Sequence, residues 1–77
     1  MLYPLRYAQV FRANGTRVVA GDHITSRLGR RYMFRYATVA ATDTAFGRIV
    51  AAPIMSDGFP LGHNDEFTDF AFGLTVR

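Results

Sequence analysis

Arginine is the side chain through which this sequence has most chemistry to offer. All nine of its cations are arginine, and lysine and cysteine are absent. A guanidinium presents a planar fork of donors that matches carboxylate or phosphate oxygens two at a time. The distribution is uneven. Residues 1–48 hold eight arginines against Asp22 and Asp43, a local balance of +6, and residues 49–77 hold Arg77 against Asp57, Asp65, Glu66 and Asp69, a balance of −3. A split of that size predicts a basic face that meets an anionic partner. Arg12, Arg17, Arg27, Arg30, Arg31, Arg35 and Arg48 are the residues expected to form it. An acidic protein surface is the first expected partner and DNA or RNA the second. Two plainer readings compete: the halves neutralise each other within one molecule, or the lysine-free composition reflects a GC-rich genome.

Other chemistry finds fewer residues. Without Cys or Lys, and with His23 and His63 forty positions apart, no nucleophile–base pair is suggested. Ser26 and Ser56 lack a nucleophile-elbow setting. The expectation is a chain that is not an enzyme and needs no cofactor. His63-Asn64-Asp65-Glu66, with Asp57 and Asp69 nearby, offers imidazole and carboxylate donors for a divalent cation. Its spacing matches neither a zinc finger nor an EF-hand loop, so a solvated acidic loop is the expectation and no metal site is assigned. No membrane span is expected either: the longest apolar run, residues 49–55, contains Pro53 and is far shorter than the roughly 18 residues a bilayer requires.

The elements that must position the arginines read as strands. An apolar arm over residues 1–5 is interrupted by Pro4. Two β-like runs then flank Asn14-Gly15, the residues a two-residue type I′ hairpin turn demands. That register pairs Ala13 with Thr16, Arg12 with Arg17, Phe11 with Val18 and Val10 with Val19, and it sets two guanidiniums against each other. Ile24-Thr25 begins a short strand and residues 26–29 form a turn. Over 30–40, period-2 alternation places Tyr32, Phe34, Tyr36, Thr38 and Ala40 on one face and Arg31, Met33, Arg35, Ala37 and Val39 on the other. The aromatic face is expected to be core. That leaves Arg31 and Arg35 about 13 Å apart on the outside, a guanidinium row without an aromatic floor.

Residues 42–46 read as a turn, 47–52 as a strand ended by Pro53, Ser56-Asp57-Gly58 as a tight turn and 59–65 as an irregular loop. One helical turn over 65–70 with Asn64 as its cap, and a closing strand over 70–77, complete the reading. About five short antiparallel strands argue for an all-β, single-domain, partly closed barrel of SH3-like type. With 77 residues its core is thin, which favours association into a homo-oligomer.

The strings Gly21-Asp22-His23-Ile24-Thr25, Gly29-Arg30-Arg31-Tyr32-Met33-Phe34, Gly47-Arg48-Ile49 and Phe72-Gly73-Leu74-Thr75-Val76 resemble small uncharacterised proteins of phages and prophages from GC-rich actinobacteria. The resemblance spans residues 14–77 and rests on turn glycines and strand starts; the 59–66 loop departs from it. It implies a phage accessory or virion protein, placed in the host cytoplasm or the virion, and brings no catalytic residues. The combined expectation is a non-enzymatic protein that binds a host or phage protein with an acidic surface, or nucleic acid, through its arginine face. The alternative is a structural virion component, a head-decoration or connector protein acting by self-assembly or capsid docking.

Overall fold

The computed structural model describes residues 9–77, so the arm expected over 1–5 lies outside the described residues. Within them the strands are β1 Val10–Phe11, β2 Arg17–Val18, β3 His23–Thr25, β4 Arg31–Val39, β5 Arg48–Pro53, β6 Asp65–Thr68 and β7 Thr75–Val76, with one 3₁₀ turn, Asp69–Phe72. They build two antiparallel sheets, ordered β2-β1-β7 and β3-β4-β5-β6. The all-β class therefore holds. The strand count rises from about five to seven, and the sheets do not close into one barrel. No helix among the described residues is long and apolar enough to cross a membrane.

The first hairpin corrects the expected register. No non-glycine residue among those described has a positive φ, so Asn14 cannot occupy a type I′ turn, whereas Gly15 sits at φ 88°. The Gly15 amide donates to the Arg12 carbonyl (2.9 Å) and the Arg12 amide to the Thr16 carbonyl (2.8 Å), giving a three-residue loop with a glycine bulge. One added loop residue changes which side chains share a face. Val10 now faces Val18, and Phe11 faces Arg17. β7 adds Val76 opposite Val10, so three buried valines cross the small sheet side by side. Arg12 and Arg17 fall on opposite faces and the like-charge pair disappears. The same loop geometry recurs over residues 26–30 and 55–59, with Gly29 at φ 87° and Gly58 at φ 88°.

The central strand also departs from strict alternation. β4 pairs with β5 as Phe34↔Ala51, Tyr36↔Val50, Ala37↔Ile49 and Val39↔Arg48, so Arg35 and then Thr38 are extra residues at irregularities. Tyr32 and Phe34 are buried as alternation requires. Past the first irregularity the phase slips: Ala37 is buried and Tyr36 is only half buried. The bent strand then reaches the other sheet, where the Ala41 amide donates to the Val76 carbonyl (2.9 Å).

The helical turn expected over 65–70 is strand β6, paired to β5 from Asp65↔Ala51 to Arg48↔Thr68. The 3₁₀ turn comes four residues later and ends at Gly73 (φ 67°). It replaces the first half of the expected closing strand. Phe72, Leu74 and Val76 still point into the core, but Phe70 points out. Tyr32, Phe67 and Phe72 form an edge-to-face triangle with centroid separations of 5.0, 5.3 and 5.3 Å at its centre.

Candidate partner-binding surface

Each arginine of the expected face now has a place. The Arg12 Nη2 donates to the His23 carbonyl (3.4 Å), tying the first hairpin to β3. Arg17 is exposed on β2. Arg27 donates from Nε to the Phe70 carbonyl (2.6 Å), and its guanidinium lies 4.1 Å over the Phe70 ring. Arg30 is exposed, 5.7 Å from the Tyr32 ring centre. Arg31 is exposed opposite Thr25. Arg35, the first of the two extra residues on β4, is half buried and donates from Nε to Asn64 Oδ1 (3.3 Å). Asn64 immediately precedes β6, so that contact spans the outward side of β5, where Val50 and Ala52 are fully buried. Arg48 pairs with Glu66 at 3.0 Å, and Thr38 Oγ1 donates to the second Glu66 oxygen (3.2 Å).

Among the described residues Arg48 is the one arginine within ion-pair distance of a carboxylate. Direct pairing between the two halves is limited, among the described residues, to Arg48 and Glu66. The acids are used locally instead. Asp22 accepts the Val19 amide (3.0 Å) and Asp57 the Phe59 amide (3.0 Å). Asp69, the one buried charged residue described, accepts the amides of Gly47 (3.1 Å) and Val76 (3.4 Å). His63 Nε2 lies 3.4 Å from Asp65 Oδ2, both exposed. Among the described residues no three His, Asp or Glu side chains gather as a ligand set.

What the sequence reading missed is apolar. The 26–30 turn folds onto the 3₁₀ turn, where the Arg27 amide also donates to the Ala71 carbonyl (2.8 Å). The Phe70 ring beneath Arg27 stacks, tilted, on Phe46 with centroids 5.1 Å apart. Leu28 is 97% exposed, Phe46 59% and Phe70 51%. Two exposed rings and a stacked guanidinium form one patch, and the exposed Leu28 follows Arg27 in the turn. The available signals were a leucine inside a Ser-Arg-Leu-Gly turn and a phenylalanine closing a polar segment. Phe70 was hidden by the strand reading that turned it inward.

A half-open cleft of about 170 Å³ lies where the sheets meet, lined in part by Val10, Val18, Phe34 and Tyr36. It falls below the roughly 300 Å³ at which small-molecule sites begin. No protein-family model matches the chain, and no curated protein or solved structure is significantly similar to it.

Proposed function

We propose that this protein is a non-enzymatic binding module of phage type that captures an acidic protein surface through the patch of Arg27, Leu28, Phe46 and Phe70. The observation that carries this reading is the Arg27 guanidinium held over a half-exposed ring beside a second exposed ring. Arginine and aromatic residues are the types that dominate binding energy at the centres of protein interfaces. Arg30 and Arg31, with no carboxylate in reach, supply the sign of the partner at the rim and speed its approach. The scaffold on this reading is a small, partly closed barrel of SH3-like type, supported by the pairing of β7 with β1 and by the Ala41–Val76 link. Its place is the host cytoplasm or the virion.

A second reading has its own observation. Phe59, 69% exposed, stands beside Asp57 at the tip of an acidic turn. An acidic tip with one exposed ring complements the basic aromatic patch, and copies joined that way form a head-to-tail assembly suited to a virion component.

One experiment separates the two. A photoreactive phenylalanine analogue replaces Leu28, and the cross-linked peptides are sequenced. A single partner joined through an acidic segment, and lost when Phe46→Ser is added, is the expected result. Cross-links into residues 55–65 of a second copy, with a matching mass in solution, establish the assembly reading instead. Cross-links scattered over many proteins and unchanged by Phe46→Ser overturn both.

A further inference from the structure

The outward side of the three-stranded sheet carries a second constellation that does not touch the patch above. Because Val10, Val18 and Val76 fill the core side, alternation turns Phe11, Arg17, Thr75 and Arg77 the other way. Phe11 is half buried on the middle strand, directly opposite Arg17 on one neighbour and Thr75 on the other. Arg77 extends the ladder by pairing with Gln9 (2.9 and 2.8 Å) and holds its guanidinium carbon 5.5 Å from the Phe11 ring centre. None of these outward residues is acidic, and among the described residues neither arginine lies within ion-pair distance of a carboxylate. Strand spacing and rise put the two arginine Cα atoms about 12 Å apart, one on each side of the ring.

We propose that this side is a platform for single-stranded nucleic acid, with one base stacked on Phe11 and the phosphates on either side of it held by Arg17 and Arg77. Every base has a π-face, so one ring on an open sheet binds without reading sequence, and exposed guanidiniums supply the salt-dependent part. A duplex keeps its bases stacked on each other and offers the ring nothing. An acidic peptide satisfies the arginines and leaves the ring uncovered. Arg77 is exposed, so its guanidinium can swing from over the ring to a phosphate and leave the ring face to a base. The one-residue change in hairpin register creates the site: it brings Arg17 level with Phe11 and supplies the aromatic floor that the Arg31–Arg35 row lacks.

The chain has no tryptophan, so Phe11→Trp installs a single indole on the platform that can be excited apart from the tyrosines. Titration with an oligothymidylate and with an oligouridylate is expected to quench it. The unmodified protein should bind either labelled strand with a salt slope of about −1.4, the value for two phosphates of a single strand. Phe11→Leu, which keeps an apolar side chain but removes the π-face, should weaken binding about tenfold. Arg17→Gln with Arg77→Gln should weaken it at least as much and flatten the slope. Phe46→Ser should leave the affinity for either strand unchanged, which separates this site from the partner-binding patch. Absence of binding at low salt, equal affinity of Phe11→Leu, or equal affinity for a duplex of the same length overturns the proposal.

Discussion

The two sheets reach stability by different means. In the four-stranded sheet, β4 and β5 are nine and six residues long and neighbouring strands follow one another in the chain. Ladder length and local hairpins add there to the buried side chains of β4 and β5. In the three-stranded sheet each strand has two residues, and the middle strand pairs with a partner more than sixty positions away. That sheet depends on side chains: the row of three valines, and the Asp69 carboxylate joining the residue before β5 to the amide of Val76. The lesson is that the small sheet is fastened to the large one at Gly47 and Asp69, so damage there should be read first in the small sheet.

The harshest way to break the comparison is Gly47→Val. A Cβ on Gly47 would stand 2.8 Å from Asp69 Oδ2, from the Val39 carbonyl oxygen and from Val76 Cβ, and two of those cannot swing aside. The expected cost is about 3 kcal/mol, a melting temperature roughly 15 °C lower by circular dichroism. An unchanged melting temperature would show that the fastening is not where these contacts put it.

Asp69→Asn is milder and sharper. The side chain keeps its shape and can turn its one oxygen to both amides, but it loses the charge that strengthens those two hydrogen bonds, a loss of about 1–2 kcal/mol. Hydrogen exchange should quicken at the amides of Gln9, Val76 and Arg77 while those of β4 and β5 keep their protection. Uniform quickening across both sheets would mean that the two open as one unit. At the small end, Arg48→Ala removes a half-exposed ion pair on the large sheet. It should move stability by no more than about 0.5 kcal/mol, within the scatter of replicate denaturant titrations.

How much of this could be read in the sequence follows from where local rules suffice. The turns at Gly15, Gly29 and Gly58, the inward Tyr32 and Phe34, and the strand beginning at Arg48 all follow from glycine placement and alternation. The hairpin register did not, because Asn-Gly fits both a two-residue type I′ loop and a three-residue loop with a glycine bulge; burial of Val10 against Val76 selects the second. The phase slip after Phe34 is a tertiary effect of β4 bending toward β7, with no local signature. The arginines were visible, but their engagements were not. Arg27 on Phe70 and Arg35 on Asn64 join residues 43 and 29 positions apart. The exposed rings of Phe46 and Phe70 were lost for a related reason: a 3₁₀ turn can only be told from a strand once Asp69 is known to be buried.

The pairing of β1 with β7 also sets the order of events during synthesis. The meander from β3 to β6 draws on neighbouring segments and can form while translation continues. The valine row cannot, because Val10 and Val18 wait for Val76, whose late arrival raises the average sequence separation of contacts and slows completion. Until then the apolar undersides of β1 and β2 are uncovered on the nascent chain, an interval in which a ribosome-associated chaperone has something to hold.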